Sequence, residues 1–193
     1  VNRFLFRWLV AGSSFLYAET LNSELKTGES FGVEINPFRF LATAEDDFSG
    51  TMSYFDNDNG VEIAIPIFYS DYSSGYGGSE TVVDIDLHYR KYFSGNRTEG
   101  TYLGAFGRYT HLEGNARHTS QYLTVEKFGL GVEVGYRVKD IFDTPFYWGV
   151  SLSFYGYLGN NNNVFEGLGY SPLAFEDNQY GVDVELLKIG YEF

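Results

Sequence analysis

Apolar and polar residues alternate with a period of two along most of this chain. "VDIDLHYR" is the plainest stretch: Val83, Ile85, Leu87 and Tyr89 fall on one side, Asp84, Asp86, His88 and Arg90 on the other. Successive side chains of an extended strand point to opposite faces. The pattern therefore builds a sheet with one apolar and one polar face, and it does not fit a helix. "FGVEI" (31–35), "VEIAIPIFY" (61–69), "FGLGVEVGYRV" (128–138) and "FYWGVSLSF" (146–154) repeat it. Looser versions at 48–55, 102–111 and 180–193 bring the predicted strands to eight.

The segments between them read as connections. "DNDNG", "SGNRTEG" and "KDIFDTP" are shorter; "SDYSSGYGGSE", "LEGNARHTSQY" and residues 159–178 are longer and polar. After the first link, "LATAEDD", short and long connections alternate, so the long ones gather at one end of an antiparallel sheet. The alternation slips by one residue at Leu186-Leu187, which predicts a bulge. Pro37 predicts another bulge, or an edge position, in the first strand.

Composition narrows the class. With 193 residues the chain makes one domain with a real core. The 17 Tyr and 18 Phe favour strands, and the 23 Gly weaken helices. A formal charge of −13 argues against nucleic acid, whose phosphates need a basic face. The absence of Cys removes disulfides, zinc–thiolate sites and thiol nucleophiles. No segment carries the roughly 18 consecutive apolar residues of a membrane helix. Residues 1–18 read as a bacterial secretory signal peptide: Arg3 and Arg7, no acid, an apolar run from Trp8 to Tyr17, then cleavage after Ala18. Two features depart from that pattern, Arg7 inside the run and Leu16 three residues before the cut. The expected domains are 1–18, signal peptide, and 19–193, a barrel.

Eight antiparallel strands of this length close into either of two barrels. A soluble one, lipocalin-like, keeps its apolar face inside. A membrane one turns that face to lipid and its polar face to the lumen. The polar face here carries Glu34, Glu62, Asp84, Asp86, His88, Arg90, Arg108, Glu133 and Arg137, with Lys188 and Glu192, interspersed with Gly and Ser. Small residues plus charges of both signs suit a tight lumen better than a soluble exterior. The other face is large and apolar, with Leu130, Val132 and Val134 in mid-strand and aromatics towards strand ends. Such a face matches an apolar band between aromatic girdles.

The signal-like start, the eight alternating strands and the ending "IGYEF" together resemble the small bacterial outer-membrane β-barrels of the OmpA/OmpX/OmpW kind. The resemblance implies a closed eight-stranded antiparallel up-and-down transmembrane barrel, all-β, integral to a Gram-negative outer membrane. It also implies that Leu187, Ile189, Tyr191 and Phe193 form an assembly signal read by the outer-membrane insertion machinery. The expected partners are outer-membrane lipid and that machinery, for a monomer; the sequence names no surface ligand.

Few motifs point to chemistry. "DNDNG" has a calcium loop's first spacing at Asp56 and Asp58, but Gly60 comes one position early and Ile67 stands where the loop needs Glu. It reads as a tight turn, since Asn-Gly suits positive φ. "GLGVEVG" has no helix after it and is not a nucleotide loop. In "RHTSQ", His118 and Ser120 resemble the His-x-Ser pair of an outer-membrane lipid A deacylase, with Glu126 or Glu133 to orient the His; Gln121 replaces that family's Asn. A motif outside its structural setting weighs little against a plain polar loop. The three His are not at ligand spacing, and no metal or cofactor is expected. The interior of an eight-stranded barrel is just filled by side chains, which favours a plug over a pore. Acidic and aromatic residues in the long connections, such as Asp71, Glu80, Tyr72 and Tyr170, suit solvation at a cell surface or a cationic partner.

Overall fold

The structure is a computed structural model that describes residues 28–37, 47–74, 78–94, 97–115, 122–158 and 180–193. The expected signal peptide, His118 and Ser120, and Tyr170 lie outside the described residues.

Eight strands appear in order: β1 (Glu29–Ile35), β2 (Phe48–Asp56), β3 (Val61–Ser74), β4 (Gly78–Tyr92), β5 (Gly100–Asn115), β6 (Tyr122–Val138), β7 (Phe146–Leu158) and β8 (Tyr180–Glu192). Each pairs antiparallel with its sequence neighbour, and β8 returns to β1, so the sheet closes into a barrel. The β8–β1 seam is short, from Gly32↔Glu192 to Ile35↔Ile189. The amide of Phe193 extends it by donating to the Phe31 carbonyl at 2.8 Å. Closure gives every strand two neighbours, the arrangement that leaves no open edge.

The outer ends of β1 and β8 and the connections 57–60, 93–99 and 139–145 share one end of the barrel, the turn end; the opposite ends of the strands form the loop end. At the turn end Asp56 holds "DNDNG" in a tight turn. Its carboxylate accepts from the Asn59 backbone and side-chain amides at 3.0 and 2.8 Å, and Gly60 takes φ +58°.

Three expectations are corrected. "SDYSSGYGGSE" is not a long loop: β3 and β4 stay paired as far as Ser74↔Gly78. "LEGNARHTSQY" likewise contributes to both strands, up to Asn115↔Tyr122. The ladder there is carried by backbone hydrogen bonds under Ser, Gly and acidic side chains, so hydrophobic alternation did not mark it. Pro37 makes neither a bulge nor an edge; β1 ends at Ile35, before it.

The slip at Leu186-Leu187 is a bulge. β8 pairs Glu185 with Ser151 and then Lys188 with Gly149, two residues apart on β7 and three on β8. The extra residue moves the inward set from Asp183 and Glu185 to Lys188 and Gly190.

The two faces differ in kind. Ile63, Leu87, Leu130, Val132, Phe154 and Val184 all point outward and are exposed. Arg90, Arg137, Glu62 and Glu133 point inward and are fully buried. Aromatic contacts cluster at the two ends of the outward face. Phe31–Tyr54, Phe146–Tyr191 and Tyr191–Phe193 lie at the turn end, and Tyr109–Phe128 towards the loop end, with centroids 5.0 to 5.6 Å apart.

Inside, aromatic rings lie over glycines of the adjacent strand. Tyr102 pairs with Gly135, Phe106 with Gly131, Tyr147 with Gly190 and Tyr155 with Gly181. A Cβ on Gly190 would sit 2.0 Å from Tyr147 Cζ, and one on Gly135 2.3 Å from Tyr102 Cζ. The glycines make space for rings that fill the lumen, which is why Gly is frequent on the polar face.

Candidate functional site: the charged lumen

The lumen is organised around two carboxylates. Glu62, from β3, has no exposed surface. It accepts from Arg137 at 2.7 and 3.0 Å, Arg90 at 2.9 Å, Ser53 at 2.8 Å and Tyr92 at 2.7 Å. Glu133, from β6, accepts from Arg90 at 2.9 and 3.1 Å, Tyr102 at 2.9 Å and Lys188 at 3.4 Å, and lies 2.7 Å from His88 Nδ1. Arg90 therefore bridges the two carboxylates. Arg137 reaches on to Glu34 at 3.3 Å and lies over the Tyr147 and Phe55 rings, 4.5 and 5.1 Å from their centroids.

A second group sits nearer the loop end. Arg108 forks onto Asp86 at 2.9 and 2.8 Å and reaches Asp183 at 2.7 Å. Its guanidinium lies 4.2 Å from the Tyr155 centroid. Thr110 donates to Asp84 at 2.5 Å and lies 3.0 Å from the Tyr157 hydroxyl. His88 joins the two groups: Nδ1 faces Glu133, Nε2 is 3.4 Å from Asp86, and the ring stacks on Phe106 at 4.4 Å, nearly parallel.

A third group floors the barrel at the turn end, with Asn57 at its centre. Its amide nitrogen donates to Ser30 at 3.2 Å and Glu192 at 3.0 Å. Its carbonyl oxygen accepts from Thr98 Oγ1 at 2.7 Å and Lys139 at 2.9 Å. Ser30 also donates to Glu192, and Lys139 pairs with Glu192 at 2.5 Å. One side chain thus ties β1, β8 and all three turn-end connections together. Burial pushes the pKa of Lys139 below the usual lysine value, against the opposing pull of Glu192.

Ion pairs of this kind, with their lone pairs taken up by hydroxyls and amides, are how buried charge is tolerated. The nine charged residues singled out from the sequence all face the lumen: Glu34, Glu62, Asp84, Asp86, His88, Arg90, Arg108, Glu133 and Arg137. The sequence reading left out Asp183 and Glu185, which the bulge returns to the inward face, and the tyrosine hydroxyls, which read only as aromatic. Asn57 was hidden by its turn, where Asn is expected for backbone reasons alone.

The residues expected to form an assembly signal run down β8. Ile189 is outward and exposed, Tyr191 and Phe193 join the turn-end aromatic cluster, and Leu187 is half-buried within the bulge, where Leu186 is the more exposed residue. Glu133, named with His118 and Ser120 as a catalytic set, lies well down β6 from Tyr122, a separation of about 36 Å along a strand. It is fully engaged with Arg90, Tyr102, Lys188 and His88. Among the described residues, no group of three His, Asp or Glu has the geometry to hold a metal ion.

No family model matches the chain, and neither does any curated protein. Among solved structures it is similar to the N-terminal β-barrel domain of Pseudomonas aeruginosa OprF, at 17% identity over 86% of this chain and 94% of that one. The TM-score is 0.36. A likeness of that degree carries no argument, so the barrel stands on its own strand pairing and its use on the chemistry of its two faces.

Proposed function

We propose that this chain is an integral β-barrel of a bacterial outer membrane, with a filled lumen and a structural or surface-interaction role. The observation that carries the proposal is the inversion of its faces: charged residues sealed inside, large apolar residues exposed outside. A water-soluble barrel has the reverse arrangement, and exposed apolar patches of this extent need a covering. Lipid supplies one. The outward residues of β6 from Phe128 to Val138 span about 33 Å along the strand. With a strand tilt of about 40°, that gives a height of roughly 25 Å, the apolar band of an outer-membrane barrel. Charge resumes at both ends, with exposed Glu126 before it and exposed Asp140 after it.

The Asn57 floor and the Glu62–Arg137 centre favour a closed plug over a narrow pore. Planar-bilayer recordings distinguish these: the plug predicts no steady conductance, and stable channels would replace it with the pore. Expected partners remain membrane lipid and, through Ile189, Tyr191 and Phe193, the insertion machinery. The lipid A-modifying alternative is tested by His118→Ala; an unchanged lipid A acylation pattern removes it.

A further inference from the structure

Pro66 lies in the middle of β3, where a proline is out of place. It has no backbone N–H to give to a ladder, and within sheets it is confined to edges, strand starts and bulges. A closed barrel has no edge. The β2–β3 register runs through Thr51↔Pro66 without a shift, so there is no bulge either.

The defect falls on the other side. The β3–β4 ladder runs to Ala64↔His88 and resumes at Ile67↔Ile85. The pairs that Ile65 and Pro66 would make with Leu87 and Asp86 are skipped, while the register on both sides of the gap is the same. No residue has been inserted. The Tyr92 amide donates to the Gly60 carbonyl at 2.9 Å, so alternate residues from Gly60 onward along β3 bond to β4; what fails is the bond that a residue at 66 would donate, whose acceptor at this register is the Asp86 carbonyl.

A buried carbonyl without a donor is costly, and hydrocarbon offers none. Outside the gap stand Ile65 and Leu87, both exposed and apolar. Inside it lies a cavity of about 30 Å³ lined by Pro66, Asp84, Asp86, His88 and Arg108, with Asp183 across it. That volume is enough to admit a water, and a buried water needs two to four polar partners. The carbonyl, the Asp84 and Asp183 carboxylates and the Arg108 guanidinium supply them.

We propose that this cavity holds a single water molecule that donates to the Asp86 carbonyl, and that Pro66 thereby opens the β3–β4 seam to water. The missing donor and the cavity rest on the barrel alone. That no donor arrives from outside rests on the membrane reading.

The test is NMR on the isotopically labelled full chain folded in detergent micelles, reading water-to-amide cross-relaxation at Asp86 and His88. The wild type should show a long-lived water contact there. Pro66→Ala restores an N–H; the contact should vanish and exchange of those amides should slow tenfold or more. A wild-type spectrum with no water contact, or a contact unchanged in Pro66→Ala, overturns the proposal. If Pro66→Ala does not fold, the wild-type spectrum decides. A chain that folds without detergent would overturn the membrane reading instead, and the same cross-relaxation could then be read in buffer.

Discussion

Arg137 forks onto Glu62 across the barrel lumen, with N···O distances of 2.7 and 3.0 Å and no solvent at either group. Each has one further charged partner, Arg90 for Glu62 and Glu34 for Arg137. Removing one member leaves the buried network with an unbalanced charge, a change of the kind that costs about 3–5 kcal/mol. Glu62→Gln and Arg137→Met should each lower stability by that order, measured by urea unfolding of the barrel refolded in micelles. The double variant should lose less than the two single losses together, because it removes one charge of each sign and restores the balance of the network. Additive losses would show that the two residues act separately.

Gly135 and Gly190 are predicted to tolerate no side chain. A methyl group at Gly190 meets the Tyr147 ring, and one at Gly135 the Tyr102 ring. Both rings are buried, and overpacking of this sort costs about 1–3 kcal/mol. Gly190→Ala should therefore destabilise the barrel and slow its refolding, followed by the folded band on an unboiled gel. Gly107→Ala, on the outward face with open space around it, should change neither.

How far the fold was legible depended on which forces marked each residue. The spanning strands were legible because burial acts on alternate residues, and "VDIDLHYR" and "FGLGVEVGYRV" record it directly. The bulge at Leu186-Leu187 was visible as two apolar residues in a row. The extensions of β3 and β4 through Ser74 and Gly78 were invisible, since both faces there are polar or small and the backbone alone holds the ladder. For the lumen, charge on the minor face pointed to Arg90, Glu133 and Arg137. Spacing carried no trace of who pairs with whom: Glu62 and Arg137 are far apart in sequence and meet only because β3 and β6 face each other across a closed sheet. Pro66 stood in plain sight within "VEIAIPIFY", but its consequence belongs to the strand beside it.

The floor predicts a contrast between two asparagines of one turn. Asn57 has five hydrogen bonds to four other segments, whereas Asn59 bonds to Asp56 at the surface. Asn57→Ala strands the Thr98 hydroxyl, takes one partner each from Lys139 and Glu192, and should cost about 1–3 kcal/mol. Asn59→Ala should cost less than half as much. Equal losses, by thermal melting in micelles, would mean that the floor contributes nothing beyond the turn.

Phe193 closes the seam through its amide and packs its ring against Tyr191 at 5.0 Å. Deleting it removes one of the few bonds that join β8 to β1 and part of the turn-end aromatic cluster. The expected result is a sharp fall in inserted protein in cells, read by protease protection. Insertion at the wild-type level would show that the end of β8 is dispensable for closure.

The apolar exterior should reject charge in proportion to depth. Leu130→Arg places a cation inside the band, where the penalty in a membrane barrel rises towards about 2–4 kcal/mol at mid-depth. Thr101→Arg, outward and near the turn end, should cost about 0–1 kcal/mol. Unfolding from lipid vesicles measures both, and equal small effects would mean that no hydrocarbon surrounds Leu130.

The most direct test of the account is fractionation of expressing cells, followed by electrophoresis of boiled and unboiled samples. The account predicts a protein that stays in the outer membrane through carbonate washing and migrates differently once boiling has opened the barrel. A protein released by carbonate, with a single mobility before and after boiling, would contradict it.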